Sequence, residues 1–498
     1  MSRIMGPVLG FRGVTNEMWN ISILIVYADT DPTPQCTLTE ADGHISPPTV
    51  LLQEMGKVVY RFDISIQQRD AERTIGYSFG ENRWQFTVPA IGDNARLNFA
   101  YASCNGFSDP RVIRKIADKN ERWRHMLSKH REAPFHLLLM GGDQVYADAL
   151  WEMVATVREW NELPGNDRWQ RQFTKKMRLG VEKFYLDLYC DRWAQAGPAE
   201  VLACIPTIMM WDDHDIFDGW GSHYPNQNSS PVYQGIYSVA RKYFEVFQLQ
   251  CSAEETHPTA LDTHGANLSM GYSFGDLAIV CLDLRSERTP DQVMRPASWN
   301  QVFDWMEAQK NKKHLLVMSS IPVVHLDFSL VESALGIFPG QQELEDDLRD
   351  HWLSRAHKQE RLRLIHRLFS YSRMHRSRVS ILSGDVHVAA LGVLRNTRAE
   401  DGYGESSINQ LTSSAIVHPG PPPILMYMYD LMSRDPIVVD TGITAELVKL
   451  PAANHRFVPA RNWLALEIEA NSKRRLWANW HVENDEIPYT KAVHCIMQ

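Results

Sequence analysis

Four short apolar runs in this chain each end in a cluster of polar residues. Residues 135–140 read Phe-His-Leu-Leu-Leu-Met and lead into Gly-Asp-Gln-Val-Tyr-Ala-Asp at 142–148. Similar runs at 97–102, 205–210 and 379–382 lead into Ser-Cys-Asn, Trp-Asp-Asp-His-Asp and Ser-Gly-Asp-Val-His. Apolar runs of this length, bounded by turn residues, predict buried strands. In an α/β fold, ligand-binding residues follow the carboxyl ends of such strands.

The four polar clusters supply oxygen, nitrogen and sulfur donors. A single aspartate after a strand is usually a turn former or a helix cap, so one cluster alone would mean little. Four clusters together favour a dinuclear centre with one ferric or zinc-like ion and one harder divalent ion. Such a pair can hold a bridging hydroxide and clamp a phosphate during in-line displacement. The candidate donors are Cys104, Asp143, Tyr146, Asp213, His214, Asp385 and His387.

In their order along the chain, these clusters resemble the motifs of calcineurin-like metallophosphoesterases. Residues 142–146, Gly-Asp-Gln-Val-Tyr, are similar to purple acid phosphatases, where the tyrosine binds ferric iron. The segments 102–104, 211–215 and 383–387 together resemble the PhoD-type alkaline phosphatase family, in which a cysteine joins the iron site. Residues 282–285, Leu-Asp-Leu-Arg, also fit an Asp-x-Arg segment of that family.

The resemblance covers about residues 96 to 420 and implies both a fold and an activity. The implied fold is α/β, a four-layer α/β/β/α metallophosphoesterase sandwich. The implied activity is metal-dependent hydrolysis of phosphoric esters with a metal-bound hydroxide as nucleophile. Two alternatives stay open, because the metal core is shared: a phosphodiesterase rather than a monoesterase, and a catalytically silent metal-binding scaffold.

The resemblance also implies individual roles. Asp143 is the expected bridging carboxylate, Cys104 and Tyr146 bind Fe³⁺, and Asp213 binds the divalent ion. That ion is expected to be Ca²⁺, with Mn²⁺, Mg²⁺ or Zn²⁺ as alternatives. His214 matches the catalytic histidine, which stabilises the transition state or protonates the leaving oxygen. Asp385 and His387 complete the ligand shells.

The chain departs from the family pattern at two places. Gly219 follows Asp218 where the family usually has an asparagine, so Asp218, Asp215 or a water would have to replace that ligand. The segment 319–322, Ser-Ser-Ile-Pro, stands where the superfamily has a histidine ligand. A few residues on, His325 is expected to pack in the core.

Arg285 has two possible roles: contact with a phosphate oxygen, or pairing with Asp283 or another carboxylate.

The cysteines of the chain are predicted to be reduced. Seven cysteines without CxxC spacing indicate reduced thiols. Cys204 and Cys281 lie inside apolar runs and are expected to pack there, whereas Cys104 directly follows a strand.

The remaining pattern predicts the domain organisation. Residues 1–95 contain short apolar segments separated by turns, which favours an N-terminal β-sandwich, followed by a catalytic domain over 96–498. Helical stretches are predicted at 111–130, 151–190 and 346–378. Residues 463–468 and 476–482 are predicted to be strands at an edge of the catalytic sheet. The apolar run 424–429 suits either a lid or wall for the substrate, or a buried helix.

Composition agrees with a soluble enzyme. A length of 498 residues favours two domains, and a net charge of -9 gives no reason to expect nucleic acid as a bulk partner. No apolar run reaches the ~20 residues that a membrane-spanning helix needs. No export signal is recognisable, which favours a cytoplasmic or intracellular location. The expected partner is a small-molecule phosphoester.

Overall fold

The structure is a computed structural model, and it describes residues 3–39, 43–92, 95–108, 113–114, 116–325, 357–398, 406–471 and 474–496. For residues 423–425 and 428 only the backbone is considered. The described strands, in chain order β1 to β23, are Met5–Thr15, Met18–Ala28, Cys36–Leu38, Gly43–Ile45, Thr49–Glu54, Lys57–Gln67, Arg73–Phe79, Asn82–Val88, Leu97–Ala102, Leu137–Gly141, Thr207–Met210, Met270–Phe274, Leu277–Leu282, His314–Ser319, Arg378–Ser383, Ala389–Asn396, Ser406–Ser413, Ile437–Asp440, Ile443–Val448, Phe457–Val458, Asn462–Ile468, Leu476–Val482 and Tyr489–Val493.

The described α-helices, α1 to α10, are Glu121–Glu132, Leu150–Met153, Ala155–Asn161, Lys175–Trp193, Pro198–Leu202, Pro225–Asn228, Pro231–Phe247, Pro296–Ala308, Lys358–His375 and Pro423–Met432. Two short 3-10 helices cover Asn166–Gln170 and Asp213–Asp215. Local sequence explains where the long helices begin. Thr174 caps α4 by accepting a hydrogen bond from the Met177 amide, and Ser230 caps α7 with Pro231 as the first helical residue.

The larger sheet has the strand order β23-β22-β21-β9-β10-β11-β1-β2-β6-β4, and β5 also pairs with β6. Its central strands β9, β10 and β11 are parallel, so their carboxyl ends lie at one edge. The predicted strands around 463–468 and 476–482 are confirmed as β21 and β22, and β21 pairs with β9. The four apolar runs of the sequence are confirmed as β9, β10, β11 and β15.

The second sheet has the order β12-β13-β14-β15-β17-β16-β19-β18, with β20 paired to β16. Successive side chains of a strand point to opposite faces of the sheet, so each strand of this sheet contributes to two different cores. Leu277 and Ile279 pack between the two sheets, whereas Ala278 and Val280 pack beneath α8 and α9. The two sheets with helices on their outer faces give the predicted α/β/β/α layering.

Strands before residue 95 do not stand apart from the catalytic strands. β1 pairs with β11 through Gly10 and Thr207, so β1, β2 and β6 extend the larger sheet. A separate three-stranded sheet contains β3, β7 and β8. Division of the chain at residue 95 into a β-sandwich and a catalytic domain stays a prediction.

The predicted helical stretches are shorter than expected. The first helix begins at Glu121, and residues 111, 112 and 115 lie outside the described part. The stretch 151–190 is broken at Pro164 and Gly165, where Gly165 has a φ of 77° that a helix does not accept. Of the stretch 346–378, residues 346–356 lie outside the described part, and the described helix is α9.

Candidate metal centre

The carboxyl ends of strands from both sheets meet at one place. The Sγ atom of Cys104, after β9, lies 3.0 Å from the Oγ atom of Ser414, after β17. The amide of Ile416 donates to the carbonyl oxygen of Ser103 at 3.0 Å. Gly384, after β15, lies so close to the Ser103 side chain that a Cβ atom would clash. These contacts bring the predicted clusters of the two sheets together.

Four of the predicted ligands have an unusual backbone conformation. The φ angles are 55° at Cys104, 56° at Asp143, 71° at Asp385 and 53° at His387. Residues other than glycine rarely adopt this left-handed region, because the Cβ atom meets the backbone there. Such strain concentrates at functional sites, where the surrounding structure holds it in place. Its recurrence at four candidate ligands marks this edge as the functional site.

Asp215 holds the loops that carry Asp143 and Asp213. Its carboxylate accepts hydrogen bonds from four backbone amides and one side chain, namely those of Asp143 at 2.9 Å, Gln144 at 3.0 Å, Val145 at 3.2 Å, Asp212 at 2.9 Å and the Nε2 of Gln248 at 2.8 Å. The expectation that Asp215 might replace the missing asparagine ligand is therefore wrong. Its oxygens already accept five donors, and it is a loop anchor.

Asp143 lies at the centre of the site. Ligand atoms of Asp143, Asp213 and His214 lie within 4.8 Å of one another. Asp143 is only 1% exposed, and its Oδ1 atom accepts no hydrogen bond from the described residues. A buried carboxylate oxygen without a donor is costly unless a cation compensates it. This group therefore fits a metal ion.

Cys104 and Tyr146 reach the same centre from two sides. The Sγ atom of Cys104 lies 3.4 Å from Oδ2 of Asp143. The hydroxyl of Tyr146 lies 3.4 Å from Nε2 of His387, which joins the two sheets across the site. For Asp385, the contact described at the centre is through its carbonyl oxygen, 4.0 Å from Sγ of Cys104. Cys104, Asp213 and His214 thus lie beside Asp143, whereas Asp385 and His387 are linked to this group through Cys104 and Tyr146.

His214 is held by a carboxylate to which the sequence analysis assigned no role. Its Nδ1 atom lies 2.8 Å from Oδ2 of Asp148, and the other oxygen of Asp148 accepts the Asp218 amide at 2.8 Å. The ring of His214 also stacks on Tyr146 with centroids 4.2 Å apart. Asp148 was visible five residues after Asp143, but spacing alone did not indicate its partner.

Arg285 pairs with carboxylates inside the protein. It is fully buried, its Nε donates to Oδ1 of Asp212, and one terminal nitrogen donates to Oδ1 of Asp213 at 3.2 Å. The amide of Gly219, at the position of the family's asparagine, donates to the other oxygen of Asp213 at 2.8 Å. Of the two open roles for Arg285, the carboxylate pairing is confirmed.

The segment that replaces the superfamily histidine also supports Asp212. The hydroxyl of Ser320 donates to Oδ1 of Asp212 at 2.9 Å. His325 is 4% exposed, as expected for a packing residue. The cysteines are free as predicted, with Cys281 buried and Cys204 half-buried.

The protein's own groups do not stabilise the ionised forms of the donors at the centre. Burial raises the pKa of Asp143, and it raises the pKa of Cys104 and Tyr146 well above their ordinary values. Burial lowers the pKa of His214, but the Asp148 and Asp213 carboxylates outweigh it and raise that pKa overall. A bound cation would reverse the cost of ionising the carboxylate, thiol and phenol. The donor set therefore fits a bound metal ion.

Comparison with known proteins agrees with this geometry. A family model described as PhoD related phosphatase matches residues 67–338 and 327–445. An uncharacterized protein of Saccharomyces cerevisiae is 29% identical over 400 residues, which are 68% of this chain and 56% of the yeast protein. The chain thus spans little more than half the length of that relative.

Two solved structures are similar to this one. The structure of PhoD aligns with a TM-score of 0.59 and 12% identity, over 99% of this chain and 90% of PhoD, which shows a shared fold. A dimetal phosphatase from Danio rerio aligns with a TM-score of 0.35 and 11% identity, over 79% of this chain and 98% of that one. In the described part of the chain, no helix combines the length and apolar character that crossing a membrane requires. Since the family match covers most of the chain and every strand end that carries a candidate ligand, the protein belongs to the PhoD-related phosphatase family.

Proposed function

We propose that the protein is a metal-dependent hydrolase of phosphoric esters. Membership of a phosphatase family supports this proposal. The observation that carries it is the group formed by buried Asp143 and Asp213 with half-buried His214, whose ligand atoms lie within 4.8 Å of one another. Carboxylate and imidazole donors gathered around a carboxylate oxygen that lacks a donor are what a hydrolytic metal site requires.

In this proposal Asp143 would hold both ions of a dinuclear centre. Cys104 and Tyr146 bind Fe³⁺, since thiolate and phenolate are strong donors to ferric iron, and Asp213 binds a divalent ion, Ca²⁺ or alternatively Mn²⁺, Mg²⁺ or Zn²⁺. Asp385 and His387 complete the two shells. When bound, the ions would polarise the phosphoryl oxygens and lower the pKa of a coordinated water. The 3.4 Å distance between Cys104 Sγ and Asp143 Oδ2 supports a shared ion.

His214 is the proposed proton donor to the leaving oxygen. The carboxylate of Asp148 occupies Nδ1, which leaves Nε2 as the proposed donor atom. A carboxylate beside Nδ1 favours the imidazolium form, which carries a proton on Nε2 as a general acid needs. A metal ligand would need the same atom unprotonated, so the two roles can be separated by experiment.

Arg285 and Asp148 are proposed as positioning residues. Arg285 is fully buried and fixes Asp213 through its terminal nitrogen, so it acts on the substrate through that ligand. Asp148 fixes the ring orientation of His214. Neither side chain needs to touch the phosphoester for its loss to slow the reaction.

The test is metal analysis of the purified protein together with a panel of phosphoric monoesters and diesters. We expect bound metal and hydrolysis that a chelator removes and added metal restores. Protein that carries metal yet hydrolyses no ester would support a scaffold instead. Hydrolysis that continues at the full rate after complete metal removal would contradict the proposal. The same panel decides between monoesters and diesters.

A further inference from the structure

A set of aromatic rings borders the metal centre on the side of the second sheet. His418 stacks on His387 with centroids 3.8 Å apart and an angle of 26° between the rings. The ring centroid of Phe107 lies 6.0 Å from that of His418. The ring centroid of Tyr146 lies 6.3 Å from that of His418, and these two ring planes are 13° apart. His387, His418 and Phe107 are half-buried, so part of their surface faces solvent. We call Phe107 and His418 the aromatic rim.

The rim is held in place by the fold. The Nδ1 atom of His418 lies 2.8 Å from the carbonyl oxygen of Pro419, which fixes the proton on Nδ1 and the ring orientation. Gly420 packs against the backbone of Pro459, leaving no room for a Cβ atom. The side chain of Asn462 donates to the carbonyl oxygen of Ser414 at 2.8 Å. The loop that carries His418 is therefore a fixed wall.

The aromatic rim lies beside the proposed metal centre. His418 contacts His387, a proposed ligand, and Phe107 follows Cys104 by three residues. A phosphoryl group at the centre would place its organic part beside these rings. The rings of Phe107 and His418 are tilted by 40°, so a flat group stacked on one ring meets the other at an angle, and both arrangements contribute beyond simple burial of area.

We propose that the aromatic rim selects phosphoesters whose organic group is planar, either an aryl group or a nucleobase, by stacking it against Phe107 and His418. This inference rests on the proposed function and names its substrate class. It assigns Phe107 and His418 to specificity, which no motif of the sequence indicated.

The experiment compares binding of non-hydrolysable phosphonates by calorimetry to the metal-loaded protein. Phenylphosphonate and cyclohexylphosphonate have similar size, but only the first is planar, and a nucleoside phosphonate separates the two sources of planarity. We expect the wild type to prefer phenyl over cyclohexyl by about tenfold, the order that aromatic pairing gives. Phe107→Leu and His418→Leu should remove this preference, whereas Phe107→Tyr should keep it.

Hydrolysis of phenyl and cyclohexyl phosphates provides the parallel readout, as the ratio of their kcat/KM values. A merely structural role would lower both values equally in Phe107→Leu and leave the ratio unchanged, which would overturn the inference. Equal binding of both phosphonates to the wild type, with hydrolysis intact, would overturn the inference alone. If neither phosphonate binds and no ester is hydrolysed, the proposed function fails together with it.

Discussion

The two sheets contribute very different halves to the metal centre. In the buried half, Cys104, Asp143 and Asp213 are at most 6% exposed, and Asp215 anchors the loops of Asp143 and Asp213 through backbone amides. In the open half, Asp385 and His387 are half-buried, and His387 is positioned by one amide bond to the Ser414 hydroxyl and by stacking on His418. The buried half is therefore shaped by the protein's own hydrogen bonds. We expect the open half to depend more on what binds there.

The largest effect is expected from Asp143→Asn, which removes charge from the buried half at nearly constant shape. Asparagine tolerates the left-handed backbone at this position, where φ is 56°. Hydrolysis should be abolished because the proposed bridging carboxylate is lost. The measurement is the rate on the best ester of the panel. Near-normal turnover would exclude Asp143 from the centre.

His214→Ala tests the residue that the buried half presents to the substrate. We expect turnover to fall by about 10²–10⁴-fold, the range for lost proton transfer, while metal content is retained. Asp148→Asn, which only misorients the ring, should cost less than His214→Ala. Loss of metal in His214→Ala would instead make His214 a ligand.

The difference in hydrogen bonding should also appear in stability. Asp215→Asn replaces one of two acceptor oxygens by an NH2 group, so at least two of the five donors lose their acceptor, and each buried donor left unsatisfied costs about 1–3 kcal/mol. The free energy of unfolding of metal-free protein should therefore fall by about 3 kcal/mol or more. The matched control is His387→Asn in the open half, where asparagine tolerates a φ of 53° and the expected loss is under about 1 kcal/mol. The free energy of unfolding is measured by chemical denaturation. An equal loss in Asp215→Asn and His387→Asn would contradict the distinction between the two halves.

The smallest structural change is Tyr146→Phe, which deletes one hydroxyl between the halves. That hydroxyl lies 3.4 Å from His387, so the variant should fold normally. If the phenolate binds Fe³⁺, the wild type should show a visible absorption band that the variant lacks, whereas zinc would give no band. A colourless wild type that is replete with iron would exclude Tyr146 as a ligand.

The comparison also shows what sequence can predict here. The strands before Cys104, Asp143, Asp213 and Asp385 were predicted because an apolar run followed by a polar cluster is a local signal. The fold was implied by the resemblance of those clusters, in their order, to metallophosphoesterase motifs. These predictions needed no knowledge of which distant residues touch.

This local signal does not identify contacts between residues that are far apart in the sequence. Asp215 was considered a substitute ligand, but the amides of Asp143 to Val145, about seventy residues away, take up its oxygens. The contact of Asp148 with His214 and the stacking of His418 on His387 likewise join separate segments. Nor did the pattern show that β1 would pair with β11. Long-range pairing is decided by packing, which no local window contains.

Metal stoichiometry tests the central claim most directly. Wild-type protein and Asp143→Asn should be purified side by side and analysed for iron, calcium, manganese, magnesium and zinc per chain. The account predicts iron together with a divalent ion in the wild type and loss of both ions from the variant, because one carboxylate bridges them. A wild type without metal, or a variant that keeps its full complement, would contradict the dinuclear centre.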